Sequence, residues 1–319
     1  MFKILITSRI FSTLKGLMAK IKDEGLEVAY NPYMGQTLNE ENLLEIIDGV
    51  DACLVGDDYF TYNVFKKAKS LKVIAKFGVG VDRIDLKAAT DHNVIVTNTP
   101  GMNKHAVADM TIGLMLALAR KIVFAHNKVV NECLWKVFTG TEVYAKTLGI
   151  LGLGLIGREV ARRASGFDMK ILACEPFPNR EFINKFNITL VNLEELLRES
   201  DFISLNLPSL SNTKGMINKE TLSLMKPGAF LVNTARGNII DDDALYHALT
   251  SGKLAGAALD VLSIEPPPKE HPLFKLENVI ITPHIAAHTY ESQLKTGTVA
   301  LENVFRVLRG EKPLYQINN

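Results

Sequence analysis

The run Gly152-Leu153-Gly154-Leu155-Ile156-Gly157 sits directly after a strand-like pattern, Leu148 to Leu151, and directly before a helical one, Arg158 to Ser165. The glycine spacing alone is a weak signal; its place between a strand and a helix supplies the physics. Gly152 permits the tight turn, Gly154 lets the backbone approach a pyrophosphate, and Gly157 lets helix and strand pack closely. The N–H groups that open the helix then face the anion. Glu175 ends the next strand pattern, near the spacing of about 20 residues expected for the acid that binds the adenosine ribose hydroxyls. A carboxylate there repels a 2′-phosphate, so the cofactor expected is NAD rather than NADP; Arg180 is the nearest residue that opposes this preference. The ordinary alternative is a glycine-rich turn with an incidental surface glutamate.

The glycine run lies inside a longer rhythm. Short β-branched runs alternate with helical patterns from the start of the chain: KILITS at 3, LEVAY at 26, ACLVG at 52, KVIA at 72 and VIVTN at 94. The alternation restarts at 147 with TLGILG and continues through MKILACE, ITLVN, DFISLNL, AFLVNTA, LAGAALDV and NVIITP. Strand–helix alternation of this kind predicts parallel sheets. At 319 residues the chain exceeds the size of a single growing core. The fold class expected is therefore α/β, with two doubly wound parallel-sheet domains and a cleft between them. Residues 1–100 plus 287–319 form a discontinuous flavodoxin-like substrate domain, and residues 101–286 a Rossmann domain. The Pro/Gly punctuation at 98–103 marks the first hinge. The final helical pattern, about 289 to 309, has no strand of its own and is expected to pack on the first domain.

Thirty-six basic residues against 35 acidic ones leave a net charge of +1, with no Lys/Arg run dense enough to track a phosphate backbone. Nucleic acid is not an expected partner. Cys53, Cys133 and Cys174 have neither an even count nor a metal-ligand spacing; each reads as a small buried residue in a reducing compartment. The chain opens on its first strand without the charged and apolar regions of a secretory signal, so a cytoplasmic location is expected. The longest apolar stretch, Ile112 to Ala119, is too short to span a bilayer and reads as a buried helix.

Three polar residues follow apolar strand patterns: Arg236 after AFLVNTA, Glu265 after LAGAALDV and His284 after NVIITP. Strand C-terminal ends line the ligand crevice of a doubly wound sheet, so the three can converge. Reducing a ketone by hydride transfer requires a proton for the developing alkoxide, and histidine titrates near neutrality. His284 is the candidate acid, Glu265 the carboxylate that orients it and raises its proton affinity, and Arg236 the planar donor for a substrate carboxylate and carbonyl. Singly, each has an ordinary explanation: a capping arginine, a solvated loop glutamate before Pro266, a satisfied buried histidine. Their joint placement after successive strands argues otherwise. His105 and His288 lack a ligand partner at metal-site spacing, and no metal is expected.

These segments together resemble the D-isomer-specific 2-hydroxyacid dehydrogenase family, in particular its phosphoglycerate dehydrogenase-like branch. The resemblance covers nearly the whole chain and is carried by FGVGVDRID at 77, NTPGMNKHAVAD at 98, GLGLIG at 152, LVNTARGNIIDDDAL at 231, ALDVLSIEPPP at 258 and TPHIAAHT at 282. It implies an NAD-dependent oxidoreductase acting at C2 of a small D-2-hydroxy or 2-keto acid, with 3-phosphoglycerate and 3-phosphohydroxypyruvate among the candidates. It also implies that Arg236 polarises the substrate, that Glu265 tunes His284 and that His284 is the general acid. Gly152, Gly154, Leu155, Ile156, Gly157, Glu175, Pro208, Thr213, Thr234, Ala235, Arg236, Asp260, His284 and Ala286 would surround NAD, with Asp260 near the carboxamide. In the first domain, Lys76, Val79 and Gly80 would belong to the substrate loop, the amides of Val79 and Gly80 holding the carboxylate. Lys76 would suit a phosphate, although a solvated strand-end lysine is an equally good reading.

Four positions depart from the family pattern. Leu155 removes a polar contact to the pyrophosphate, Asp109 stands for a glutamate, Ala286 for a glycine and Glu175 for an aspartate. The segment holding Trp135, NECLWKVFTG, resembles the arm through which relatives dimerise, and a homodimer through the NAD-binding domain is expected; the alternative is a tryptophan that covers its own domain. Competing functions are a glyoxylate or hydroxypyruvate reductase and, from a different class, an NAD-sensing corepressor-like binding protein, which would carry extra terminal segments. No amino-acid-sensing domain follows residue 319, so activity insensitive to serine is expected.

Overall fold

The structure, a computed structural model, describes residues 1–8 and 10–318. The chain divides into two compact units: Met1–Asn103 with His288–Asn319, and Lys104–Ala287.

The first unit is built on strands β1 (Lys3–Ile6), β2 (Glu27–Val28), β3 (Ala52–Val55), β4 (Val73–Lys76) and β5 (Ile95–Thr97). They pair in parallel in the order β2-β1-β3-β4-β5, a flavodoxin-like arrangement. β3 and β4 are buried at every position, so they read as unbroken apolar runs rather than alternating ones. Alternate residues still serve opposite faces. Leu5, Cys53, Val55 and Ile74 pack with Leu43, Val64 and Phe65 on one side. Ile4, Ile6, Leu54 and Ala75 pack with Ile21, Leu301 and Val304 on the other. Leu301 and Val304 come from the helix Tyr290–Leu308; its Gly297 leaves room for the neighbouring helix Lys15–Asp23, since a Cβ there would lie 2.5 Å from Leu17 Cδ1.

The second unit contains β6 (Thr147–Leu151), β7 (Lys170–Cys174), β8 (Thr189–Leu190), β9 (Phe202–Leu205), β10 (Ala229–Asn233), β11 (Leu254–Leu259) and β12 (Val279–Ile281). Their order, β12-β11-β10-β9-β6-β7-β8, is all parallel. The chain winds outward from β6 to β8 and then crosses to β9, which makes β6/β9 the switch point where doubly wound sheets bind ligands. The helix Lys104–Ala119 covers one face, burying Ile112, Leu114, Met115 and Leu118, as its apolar run leads one to expect.

The next helix, Ile122–Glu132, buries no residue. Cys133 ends it in a left-handed conformation, φ 53°, and is exposed, which corrects the expectation of three buried cysteines: Cys53 is buried and Cys174 half-buried. Trp135 is 91% exposed and so does not cover its own domain. Among the described residues, no helix is long and apolar enough to cross a membrane.

Candidate functional site

The glycine turn joins β6 to the helix Leu155–Ala164. Gly152 has φ +89°, open to glycine at little cost, and a Cβ on it would meet the Asn206 carbonyl oxygen at 2.7 Å. A Cβ on Gly157 would lie 2.1 Å from the Gly152 carbonyl oxygen, so only a glycine brings helix and strand this close. Gly154 differs: nothing in the protein lies within 4 Å of its missing Cβ. That open space is where a ligand backbone would run. Gly154 also occupies the N-cap without a capping side chain, which leaves the first-turn amides, including those of Leu155 and Ile156, for an anion.

Glu175 follows β7 and bridges two loops. One carboxylate oxygen accepts from the Leu153 amide at 2.8 Å and the other from the Phe177 amide at 2.9 Å. Each oxygen keeps lone pairs for ribose hydroxyls. Burial and then the Glu175 charge raise the neighbouring Cys174 thiol above its ordinary pKa. At the end of β9, the side-chain oxygen of Asn206 is buried without a partner, an acceptor that a bound hydroxyl would satisfy. Open backbone at Gly154, uncapped amides, the Glu175 carboxylate at the end of the second strand and an orphaned acceptor together fit a dinucleotide. Thr213 is spent differently: its hydroxyl donates to the Pro208 carbonyl at 2.7 Å and accepts from the Leu210 amide at 2.8 Å, stapling the 208–213 loop.

A second polar cluster follows the C-terminal ends of three neighbouring strands, β10, β11 and β12. Arg236 follows β10 in extended conformation at the start of a short 3-10 turn, with Nη1 donating to the Ala235 carbonyl at 2.8 Å. Asn233, fully buried, holds this loop: its side-chain oxygen accepts from the Ala235 amide at 3.0 Å and its amide donates to the Arg236 carbonyl at 2.9 Å. Thr111 donates to the Val107 carbonyl, so in its 2.8 Å contact with Thr234 the donor is Thr234.

His284 follows β12 with φ +55°, uncommon for a residue with a side chain. Asp260, 1% exposed at the end of β11, stabilises that conformation. Its carboxylate accepts from Thr282 Oγ1 at 2.6 Å and from the amides of Ile285 and Ala286, both at 2.8 Å, and its carbonyl accepts from the His284 amide at 2.8 Å. Most of its acceptor capacity therefore serves the loop that carries His284. Glu265 Oε2 lies 2.8 Å from His284 Nδ1, and its other oxygen accepts from the Leu262 amide at 3.1 Å. The contact at Nδ1 makes Nε2 the ring nitrogen that can pass a proton to a substrate. Direct hydrogen bonding thus unites Glu265 with His284, and strand adjacency brings Arg236 and Asp260 to the same rim.

The first unit holds Lys76, Val79 and Gly80 at and after the end of β4. Lys76 is 6% exposed, and its ammonium donates to the Gly56 carbonyl and to Asp57 Oδ1, both at 2.7 Å. Asn98 donates to the Val79 carbonyl at 2.9 Å, and Thr99 donates to Gly78 at 3.0 Å, which fixes the loop that presents the Val79–Gly80 peptide. Asn233, Asn98 and Thr99 are not marked as site residues by any motif in the sequence. A side-chain amide immediately after an apolar strand was the available signal for Asn233. No group of three His, Cys, Asp or Glu among the described residues is placed to hold a metal ion.

A switch-point glycine turn and a carboxylate after the second strand define the Rossmann dinucleotide-binding proteins. Within that class, the chain belongs to the D-isomer specific 2-hydroxyacid dehydrogenase family, whose NAD binding domain model matches residues 112–286. It is 42% identical to a D-3-phosphoglycerate dehydrogenase of Methanocaldococcus jannaschii, over 98% of this chain and 58% of that protein. The chain thus spans a little over half the length of that relative. It is 44% identical to a glyoxylate reductase of Korarchaeum cryptofilum, over 80% of this chain and 78% of that one. Among solved structures, D-lactate dehydrogenase with NAD+ from Lactobacillus jensenii superposes with a TM-score of 0.81 at 29% identity, covering 100% of both chains.

Proposed function

We propose that the chain is an NAD-dependent oxidoreductase acting at C2 of a small D-2-hydroxy or 2-keto acid. The observation that carries this reading is the 2.8 Å contact between Glu265 Oε2 and His284 Nδ1 on the rim that also bears Arg236. Bound NADH supplies the hydride. Protonated His284 donates from Nε2 to the oxygen that becomes the hydroxyl, and Glu265 stabilises the charged ring before the transfer. Arg236 holds the substrate carboxylate and polarises the carbonyl. The first-turn amides after Gly154 bind the pyrophosphate and Glu175 the ribose, which disfavours a 2′-phosphate.

The relatives carry the names of both a phosphorylated-substrate enzyme and a glyoxylate reductase. The pairing of Lys76 with Asp57 favours the second reading, a glyoxylate or hydroxypyruvate reductase, because the lysine's charge is already offset by a carboxylate. NADH oxidation with 3-phosphohydroxypyruvate, hydroxypyruvate, glyoxylate and pyruvate, with NADPH in parallel, tests both. A kcat/KM for hydroxypyruvate or glyoxylate above that for the phosphorylated acid supports the reductase; the reverse order supports the dehydrogenase. Absence of turnover with every acid, alongside NADH binding, would favour a binding protein.

The expected assembly is a homodimer through the NAD-binding domain. Ile122, Val123, Val130, Trp135 and Val137 are exposed on and after a helix that buries nothing of its own, which is unusual for apolar side chains in a monomer. Light scattering at micromolar concentration would report twice the chain mass, and Val130→Glu would return it to one. Three unpaired cysteines, one of them exposed, are suited to a reducing compartment such as the cytoplasm.

A further inference from the structure

We infer that Asp242 is a positioning residue for the Glu265–His284 pair, acting by tying down both flanks of the loop that carries Glu265. This rests on the reading of His284 as the proton donor.

The loop between β11 and the 3-10 turn Pro272–Lys275 has no regular secondary structure of its own. Glu265 lies within it, followed by Pro266, Pro267 and Pro268. Its carboxylate is oriented from the loop itself: the Leu262 amide holds Oε1 at 3.1 Å, leaving Oε2 for His284 Nδ1. The direction of the Leu262–Ser263 backbone therefore sets where the carboxylate points.

Two contacts fix that backbone. Gly237, the residue after Arg236, lies against it so closely that a Cβ would be 1.9 Å from the Leu262 carbonyl carbon and 2.4 Å from the Ser263 nitrogen. On the other side, Ser263 Oγ donates a short hydrogen bond to Asp242 Oδ2. The same oxygen lies 3.7 Å from His271 Nε2, an ion-pair distance when the imidazole is protonated. His271 is 8% exposed, its Nδ1 is buried without a partner, and its ring packs on Phe274 with centroids 5.3 Å apart. One carboxylate oxygen thus faces the loop at Ser263, before Glu265, and at His271, after it.

Asp242 can serve as an anchor because it opens the helix Asp242–Thr250, which Leu245 and Leu249 fix in the core and which the Asp241 side chain caps through the Ala244 amide at 3.0 Å. A carboxylate in a first helical turn is also favoured by the helix dipole. The other titratable groups along these segments are Asp241 and Asp243 on the same turn, and Lys269 and Glu270 in the loop. Asp242 touches none of the reacting atoms in this account; it acts through the loop.

The test compares Asp242→Ala and Ser263→Ala with Glu265→Gln. A Glu265 carboxylate held on Nδ1 favours the protonated ring, so its loss moves the alkaline fall of kcat/KM for reduction to lower pH. Asp242→Ala is expected to move that fall in the same direction by a smaller amount, to lower kcat on the order of tenfold, and to leave the NADH dissociation constant within about twofold. Profiles that superimpose on the parent, with only the melting temperature or active fraction reduced, would overturn the inference. Ser263 is exposed, so Ser263→Ala carries the test if Asp242→Ala does not fold. NMR titration of the His284 ring in the same variants needs no turnover. If no keto acid is reduced, the activity reading fails, while a ring titration displaced in Ser263→Ala towards that of Glu265→Gln still supports the tether, and an undisplaced one refutes it.

Discussion

The two halves of the second sheet's functional rim are built in opposite ways. On the β6–β9 side the protein leaves things out: Gly154 faces empty space, Gly157 omits a Cβ that would strike Gly152, and the first helical turn has no capping side chain. On the β10–β12 side it adds polar groups that hold loops: buried Asn233 for the Arg236 loop, buried Asp260 for the His284 loop and half-buried Asp242 for the Glu265 loop. A polyanion can be bound by backbone, which requires access. Proton transfer requires side chains held to within a fraction of an ångström, which requires clips.

The sharpest way to break this contrast is at His284. His284→Gln is expected to lose on the order of 10²-fold or more in turnover while NADH titrates normally, and near-normal turnover would reject the assignment of the acid. The two glycines come next. Gly157→Ala forces backbone apart and should destabilise the domain by about 1–3 kcal/mol and abolish measurable NADH binding. Gly154→Ala meets nothing in the protein, so its melting temperature should stay within a few degrees of the parent while NADH affinity drops about tenfold. Equal destabilisation by both would erase the distinction between packing and access.

On the clipped side, Asn233→Ala should raise KM for the keto acid several-fold, on the order of fivefold to tenfold, through a looser Arg236, with NADH affinity little changed. The smallest effect lies at the opposite rim. Asp201 precedes β9 and accepts from the Thr147 amide at 2.9 Å and from Lys226 at 3.1 Å. Burial opposes its charge, but these donors outweigh it and hold the carboxyl below the ordinary range. Its stabilising contribution is therefore complete above the ordinary carboxylate pKa and is lost as pH falls through the lowered value. The melting-temperature gap between the parent and Asp201→Asn should narrow from pH 7 towards pH 3.

The same contrast explains what was legible in the sequence. The glycine turn is encoded by consecutive residues, Gly152 to Gly157, and it joins a strand to a helix as the pattern leads one to expect; Arg236 and His284 closely follow strand ends, whereas Glu265 lies in an irregular loop. The clips are formed between residues far apart in the chain, such as Asp242 with Ser263, or Asp260 with Ala286, and no local pattern announces them. Asp260 was singled out for a carboxamide, yet most of its acceptor sites serve the His284 loop. The hydroxyl of Thr213, a residue expected beside the cofactor, bonds within its own loop. LEVAY and ITLVN pair over only two residues each, in the edge strands β2 and β8.

In the proposed reaction NADH would supply a hydride to C2 of a keto acid and His284 the proton to its oxygen. NADH deuterated at C4 of the nicotinamide, incubated with hydroxypyruvate or glyoxylate and the protein, tests it by NMR of the product. Deuterium is expected on C2 of the hydroxy acid, of D configuration where C2 is a stereocentre, with the initial rate of labelling lower by on the order of 10²-fold or more in the His284→Gln reaction. Product without deuterium at C2, or equal labelling by the variant, would contradict it.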